Sequence, residues 1–213
     1  MSYQEEINDR MRAILIDWLV EVHMKFRLFP ETLFLCVSII DRYCSKVDVK
    51  RSKLQLIGVT ALLVACKHNE VQPPEVRDYV YITDEAYNRQ EVLDMEQDIL
   101  KVLKWEISVP TAVLFLDRFL HLTEASELTK LAAAYYLEST LQEHCFLQFR
   151  PSVVTASVVI LALNNPDIRV MEKDLDRDLP GFVSASLRLE LLSQTASTLL
   201  LSSHTHIFLH LSL

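Results

Sequence analysis

The segment MRAILIDWLVEVH at positions 11–23 is apolar on more than one side of a helix. Spacings of i, i+3, i+4 and i+7 place one apolar set on a single stripe: Met11, Ile14, Leu15 and Trp18. A second stripe, rotated from the first, holds Ala13, Ile16, Leu19 and Val20. Because a surface helix needs only one buried stripe, two interpretations stay open. The helix is either surrounded by its own domain or exposes the Met11/Trp18 stripe to dock an apolar peptide, for which Trp is a common anchor.

The scarcity of glycine excludes several classes of function. Only Gly58 and Gly181 occur in 213 residues, where an average chain would have roughly fifteen. A phosphate-binding loop needs two glycines and a dinucleotide fingerprint three, and tight hairpins also depend on glycine. With no Ser–His–Asp or HExxH signature either, we expect a mainly helical protein without cofactor or enzymatic activity. Gly58 is predicted to be a close-packing point between helices, since a side chain there would hold them apart.

Acidic residues outnumber basic residues, 29 to 21, giving a net charge of −8. This balance disfavours a surface that binds nucleic-acid phosphates. We therefore expect protein partners and no nucleic acid.

The cysteines lie in apolar runs and lack CxxC spacing: Cys36, Cys44, Cys66 and Cys145. This pattern is typical of reduced core residues in an intracellular protein. We predict no disulfide framework.

The last 23 residues, 191–213, contain no Asp, Glu, Lys or Arg. Ser, Thr, Gln and His interrupt their apolar residues, so they do not meet the requirement for a membrane span of about 20 mostly apolar residues. We predict an uncharged, poorly ordered tail at 196–213 and no membrane association. His204, His206 and His210 lack an element to fix ligand geometry, so no metal site is predicted.

Apolar periodicity and prolines predict the order of the first helices. The predicted segments are 11–22 with Asn8 or Asp9 as cap, 31–45 after Pro30, 52–68 before Pro73-Pro74, a short element at 75–81, and 84–103.

Two apolar segments recur in the same order. AILIDWL at 13–19 resembles AVLFLDRFL at 112–120, and VTALLVA at 59–65 resembles VTASVVI at 154–160, with both offsets between 95 and 100 residues. Repetition at nearly one offset favours a duplicated unit. We predict two similar helical domains in tandem, joined near 107–111.

Four charges stand in or beside apolar helices: Arg12, Asp41, Lys67 and Glu96. An unpaired charge is costly to bury, so Arg12 and Asp41 would pair if both faced inward. Separate solvated charges are the alternative, and the same question applies to Lys67 and Glu96.

Long motifs in a fixed order resemble the cyclin box of the A/B-type mitotic cyclins, and MKFRL and SIIDR favour the B type. These motifs are MRAILIDWLVEVH, ETLFLCVSIIDRY, KLQLIGVTALLVACK, PPEVRDYVYITDEAY and VLDMEQDILKVLKWEISVPT. RPSVVTASVVILAL at 150–163 resembles a helix of the second cyclin box. The resemblance implies an all-α fold of two tandem five-helix cyclin boxes at 1–108 and 109–195, the second divergent or incomplete at its C-terminal end.

The resemblance also implies a function. It predicts a non-enzymatic regulatory subunit, in nucleus and cytoplasm, that binds and activates a cyclin-dependent serine/threonine kinase in mitotic control. Substrates or inhibitors with RxL-type motifs would bind a hydrophobic patch. The alternative is a cyclin-fold adaptor in transcription, which would need a basic surface that this acidic chain does not predict.

Three sets of residues match positions with known roles in the family. The set matching kinase contacts is Lys67, His68, Glu70, Glu96, Leu100, Trp105 and Ile107. The set matching the RxL-docking patch is Met11, Ile14, Leu15, Trp18, Glu21, Leu54 and Gln55. Arg12 and Asp41 match a structural ion pair, and Leu56 matches a core position.

The chain departs from the family pattern after its lysine. Where KYEE or KFEE is usual, it has Lys67-His68-Asn69-Glu70. Replacing an aromatic ring by imidazole at an interface removes apolar contact worth about 1 kcal/mol, so kinase affinity or choice is expected to differ. The family's destruction motif RxxLxxxxN does not occur in these residues.

Overall fold

A computed structural model describes residues 4–166, 168 and 169, and these contain helices and connecting segments without a β-strand. The α-helices are α1 (Asp9–Phe26), α2 (Pro30–Cys44), α3 (Leu54–Asn69), α4 (Val76–Ile82), α5 (Arg89–Val102), α6 (Ala112–Leu122), α7 (Glu127–Ser139) and α8 (Pro151–Asn164). Short 3₁₀ helices form at Arg51–Lys53 and His144–Gln148. The predicted all-α class is confirmed. The tail at 196–213, its three histidines and Gly181 lie outside the described residues.

The chain divides into two compact units. The first comprises Met1–Phe115 and Leu137–Val154, and the second comprises Leu116–Tyr136 and Thr155–Leu213. The predicted boundary at residue 108 stays a prediction.

Helix α3 is the centre of the first unit. Every residue from Leu54 to Cys66 except Gln55 is buried, and α1, α2, α4 and α5 all contact this helix. Its sequence has no charge between Lys53 and Lys67, and a helix that is hydrophobic all round is buried. Helices α1–α5 therefore form a five-helix bundle in which the other four helices pack around α3.

Helix α1 packs on α3 with one face only. It begins at an Asn8 cap, whose Oδ1 accepts a hydrogen bond from the Met11 amide at 3.0 Å. Leu15 and Leu19 are buried, whereas Ile14 on the same turn is 61% exposed. Of the two interpretations of this segment, a fully surrounded helix is therefore wrong.

Gly58 allows α1 to approach α3. A Cβ built on it would lie 2.7 Å from Leu15 Cδ1, well inside van der Waals contact. The predicted role of Gly58 as a close-packing point is confirmed.

Helix α5 begins five residues later than predicted. Asp84 and Glu85 adopt left-handed backbone conformations, with φ of 54° and 56°, which a helix starting at 84 would not allow. The cap is Asn88: its Oδ1 accepts from the Glu91 amide at 3.0 Å, and Glu91 Oε2 accepts from the Asn88 amide at 3.1 Å. This reciprocal capping box defines the start of α5 better than the upstream acidic pair.

Three of the four cysteines are core residues, and the fourth is not. Cys36, Cys44 and Cys66 are buried, but Cys145 is exposed on the 3₁₀ helix His144–Gln148. The apolar flank that predicted burial of Cys145 belongs to a short 3₁₀ turn, which has no continuous buried face.

The second unit has its own apolar core. Its buried apolar residues within the described part are Leu116, Leu120, Ala125, Leu128, Ala132, Ala133, Tyr136, Val158, Val159, Ala162 and Ile168. The side-chain amide nitrogen of Asn165, Nδ2, donates to the Tyr136 hydroxyl at 2.8 Å. No helix in the described part of the chain is long and apolar enough to cross a membrane.

Candidate protein-binding site

The predicted binding residues occupy the two ends of α3 and the elements beside each end. The residues matched to kinase contacts come from the C-terminal end of α3, from α5 and from the segment after α5. The residues matched to the docking patch come from α1 and from the first turn of α3. All of them belong to the first unit.

Arg12 and Asp41 form a bidentate ion pair between α1 and α2. Arg12 Nε lies 2.6 Å from Asp41 Oδ1, and Nη2 lies 2.8 Å from Oδ2. Arg12 is only 1% exposed, and its Nη1 donates to the carbonyls of Leu141 and Gln142 at 2.9 and 3.3 Å. Each guanidinium nitrogen therefore has an acceptor, which offsets the cost of burying the charge. The structure brings these two charges together instead of leaving them separately solvated.

Lys67 and Glu96 also pair, but at the surface. The Lys67 ammonium nitrogen lies 2.6 and 2.8 Å from the two carboxylate oxygens of Glu96. The lysine side chain is 47% exposed and the glutamate 13%. Lys67 stands in the last turn of α3, where the helix dipole favours a cation. The pair therefore presents an exposed ammonium beside a largely covered carboxylate.

Glu70 connects the end of α3 to the start of α2. Its Oε1 accepts hydrogen bonds from the Phe29 amide at 2.8 Å and the Thr32 hydroxyl at 2.6 Å. Phe29 is the N-cap residue of α2 and supplies no side-chain cap of its own. A carboxylate at this helix N-terminus also interacts favourably with the helix dipole. Motif comparison assigned Glu70 only an external contact and missed this internal one.

Among the described residues, His68 makes one side-chain hydrogen-bond contact, to the neighbouring Asn69. It is exposed, and its Nδ1 lies 2.8 Å from Asn69 Oδ1. Nothing else in the described part of the chain fixes the ring, so this imidazole stands at the surface next to Lys67.

The segment after α5 exposes one aromatic side chain. Lys104 and Trp105 have φ values of 54° and 63°, and the Trp105 amide donates to the Leu100 carbonyl at 2.9 Å. This closes α5 in a Schellman-type turn without glycine. Trp105 is 72% exposed, whereas Ile107 is 8% exposed and Leu100 is half-buried against the core. Of the three, Trp105 is the apolar side chain available to a partner.

The docking-patch residues form a floor and a rim. Leu15 and Leu54 are buried and form the floor, while Met11, Trp18 and Gln55 are half-buried. Ile14 and Glu21 are exposed on α1. The exposed part of this set is therefore apolar apart from Glu21 and Gln55, and Leu15 and Leu54 belong to the core of the bundle.

Several buried thiol and hydroxyl groups of the first unit have raised pKa values. Burial raises the pKa of the Cys44 and Cys66 thiols to about 12, so both are protonated at neutral pH and poor nucleophiles. Burial and a 2.5 Å hydrogen bond to Asp98 Oδ2 raise the pKa of the Tyr43 hydroxyl. Among the described residues no group of three or more His, Cys, Asp or Glu side chains is placed to hold a metal ion.

The described residues form helices and connecting segments, and family models define the class of protein to which this scaffold belongs. The model of the cyclin N-terminal domain matches residues 1–108, and that of the cyclin C-terminal domain matches residues 110–187. The chain belongs to the cyclin family.

Plant mitotic cyclins are similar to this chain. G2/mitotic-specific cyclin-1 of Medicago sativa subsp. varia is 50% identical over 162 residues, which cover 76% of this chain and 38% of the relative. Over equally long matches, Cyclin-B2-1 of Oryza sativa subsp. japonica is 49% identical and Cyclin-B1-3 of Arabidopsis thaliana is 48% identical, each covered to 39%. The chain thus spans about four tenths of the length of these relatives. The predicted resemblance to mitotic cyclins of the B type is confirmed.

Solved structures show the same fold. A viral cyclin from herpesvirus saimiri superposes with a TM-score of 0.71 at 24% identity, covering 92% of this chain and 86% of that one. A chain of the CAK complex from Chaetomium thermophilum, bound to ATP-γ-S, matches with a TM-score of 0.53 at 14% identity, covering 92% and 64%. The tandem cyclin fold is therefore confirmed.

Proposed function

We propose that the protein is a regulatory subunit that binds and activates a cyclin-dependent serine/threonine kinase in mitotic control. The observation that carries this proposal is the Lys67–Glu96 ion pair, whose ammonium is exposed and whose residues match the family's kinase-contact positions. Relatives about 50% identical to the chain are named as G2/mitotic-specific cyclins.

The Lys67–Glu96 pair is suited to bind a segment of protein backbone. Each peptide unit offers one N–H donor and one C=O acceptor. The Lys67 ammonium donates to a carbonyl, and the Glu96 carboxylate accepts from an amide next to it. Because an exposed ion pair contributes about 0–1 kcal/mol, exchanging the internal partner for an external one costs little.

Trp105 and Glu70 support the proposal in two further ways. The exposed indole provides the kind of large apolar anchor that dominates binding energy at interfaces. Glu70 ties the end of α3 to α2 through Phe29 and Thr32, so Lys67 stands on a helix end held from two sides. A rigid surface loses less conformational entropy on binding.

The chemistry of phosphoryl transfer belongs to the kinase in this proposal. A cyclin that presses on the kinase C-helix aligns the Lys–Glu ion pair and the activation segment on which transfer depends. The cyclin contributes helical surface and no reacting group, and it acts in nucleus and cytoplasm.

The surface around α1 is proposed to recruit RxL-type substrates and inhibitors. Glu21 offers a carboxylate that an arginine can contact with two parallel hydrogen bonds. The leucine of the motif would pack on Ile14, Met11 and Trp18, above the buried floor of Leu15 and Leu54.

Co-purification with a cyclin-dependent kinase, followed by a phosphorylation assay, tests the proposal. We expect a stable complex and a large increase in kinase activity. A chain that is helical by circular dichroism but neither binds nor activates such kinases would contradict it. The alternative, an adaptor in transcription, would leave kinase activity unchanged.

A further inference from the structure

A short segment before α1, residues 4–7, holds the connection between α2 and α3; we call it the N-terminal strap. Gln4 Nε2 donates to the carbonyl oxygens of Cys44 at 2.7 Å and Val47 at 2.6 Å. Its Oε1 accepts from the Val49 amide at 2.8 Å. One side-chain amide thus uses both donor hydrogens and one acceptor position on a connection 40–45 residues away in sequence.

The rest of the strap extends this attachment. Glu6 Oε2 accepts from the Arg51 amide at 3.0 Å, at the start of the 3₁₀ helix Arg51–Lys53 that leads into α3. The Glu5 amide lies 3.4 Å from Asp48 Oδ1. Ile7 is 4% exposed and belongs to the core of the bundle. Burial of Ile7 therefore anchors the strap at the end that joins α1, and hydrogen bonds from residues 4 and 6 anchor the rest.

The strap joins the two halves of the docking patch. It continues directly into the Asn8 cap and first turns of α1, which carry Met11 and Ile14. The connection that it holds continues directly into the first turn of α3, which carries Leu54 and Gln55. A movement of the connection relative to the strap would change the separation of these two turns.

We propose that Gln4 is a positioning residue for the docking patch: it fixes the separation between the first turns of α1 and α3 and so sets the affinity for RxL-type peptides. This inference rests on the docking function proposed above. Gln4 acts through its bonds to Cys44, Val47 and Val49, which lie between it and the patch.

The geometry separates this role from a general contribution to the fold. Lys67 is thirteen residues after Leu54, which is about 20 Å along an α-helix. Glu70 independently ties that end of α3 to α2. Loosening the strap is therefore expected to affect the patch and to leave the Lys67–Glu96 pair intact. The connection also meets the end of α5, but only through a 3.5 Å contact between the Lys46 ammonium and the Val102 carbonyl, which is at the weak limit of a hydrogen bond.

The proposal is tested by measuring two affinities of the Gln4→Ala variant of the full chain, one for an RxL peptide and one for the kinase. We expect roughly five- to tenfold weaker binding of a fluorescent RxL peptide, because three hydrogen bonds are lost, and kinase affinity by calorimetry within about twofold of wild type. Gln4→Glu keeps the acceptor but sets a carboxylate against two carbonyl oxygens, so it should weaken the peptide at least as much. Gln72→Ala, an exposed glutamine after α3, is the matched control and should change neither affinity.

Hydrogen exchange gives a second measurement. The amides of residues 47–51 should exchange faster in Gln4→Ala, while those at the end of α3 keep their protection. If the wild type binds the RxL peptide and Gln4→Ala binds it equally well, the proposed role of Gln4 is overturned and the docking function is not. Equal losses of peptide and kinase affinity would make Gln4 a structural residue only. A folded wild type that binds no RxL peptide would overturn the docking function itself.

Discussion

The two ion pairs of the first unit differ in the exposure of the cation. The Asp41 and Glu96 side chains are each 13% exposed, whereas the Arg12 side chain is 1% exposed and the Lys67 side chain 47% exposed. Arg12 and Asp41 lie inside the bundle, where the arginine is 1% exposed, and backbone carbonyls complete its hydrogen bonds. Lys67 and Glu96 lie at the surface, where the lysine is 47% exposed and bonds only Glu96 among the described residues. Arginine is suited to the first position because its planar fork serves several acceptors at once, and lysine to the second because a single mobile ammonium changes partners easily. The buried pair builds the fold, and the surface pair is free to serve a partner.

The largest effect is expected from breaking the buried pair. Arg12→Ala leaves the Asp41 carboxylate and two carbonyls without their donor, so we expect a loss of about 3–5 kcal/mol in the free energy of unfolding, measured with urea. Arg10→Ala, an exposed arginine two residues earlier, should stay within about 0.5 kcal/mol.

If Arg12→Ala does not fold, Asp41→Asn provides the measurement, since the amide keeps the shape of the side chain and removes its charge. A loss below about 1 kcal/mol in either variant would mean that the buried pair contributes no more than a surface pair.

The surface pair should show the opposite pattern. We expect Lys67→Ala combined with Glu96→Ala to change the free energy of unfolding by less than about 1 kcal/mol but to weaken kinase binding at least tenfold by calorimetry. The matched control is Lys130→Ala with Glu127→Ala, because that lysine–glutamate pair has a 2.7 Å separation and side chains 42% and 65% exposed. It should leave kinase affinity unchanged. Equal kinase affinity in both double variants would contradict the role of Lys67 and Glu96.

The two tryptophans extend the comparison to apolar contacts. Trp18→Ala is expected to impair phosphorylation of RxL-bearing substrates by about tenfold, in line with loss of an interface anchor, and to spare a short peptide without the motif. Trp105→Ala should instead weaken kinase binding, and so reduce both reactions alike. If Trp18→Ala reduced both equally, Trp18 would be a core residue alone.

Local patterns predicted most of the bundle but not its long-range polar contacts. The uncharged run of α3, the proline that opens α2 and the close approach at Gly58 all follow from neighbouring residues. Glu70 and Gln4 bond groups 38–45 residues away, and no local motif encodes such a distance. The start of α5 was misplaced because acidic residues at 84–85 and the capping Asn88 both resemble helix starts. The Asn88–Glu91 capping box and the left-handed backbone at 84 and 85 together decide between them.

The candidate site residues follow from family resemblance, because chemistry alone does not single them out. The residues alone leave open whether Arg12 pairs with Asp41 and Lys67 with Glu96. Helical periodicity does not say which face of α2 meets α1, or which face of α5 meets α3. The exposure of Ile14 and Trp105, against the burial of Leu15, Leu54 and Ile107, depends on tertiary packing. Apolar type alone could not have separated them.

The smallest effect is expected at Glu138, a half-buried carboxylate that interacts electrostatically with His23. Burial raises the pKa of Glu138, and the charge of His23 opposes that shift in part. The folded state then holds the Glu138 proton more tightly than the unfolded state. Protonation therefore stabilises the fold below the ordinary pKa of glutamate, and this stabilisation is lost as pH rises through the raised pKa of the folded state. At pH 8 the ionised carboxylate is a cost, which Glu138→Gln removes. We expect that variant to gain a few tenths of a kcal/mol in the free energy of unfolding at pH 8 and nothing at pH 4. Glu85→Gln, at an exposed turn, should show no such pH-dependent gain, and an equal gain at both pH values for Glu138→Gln would mean that ionisation of this group does not oppose folding.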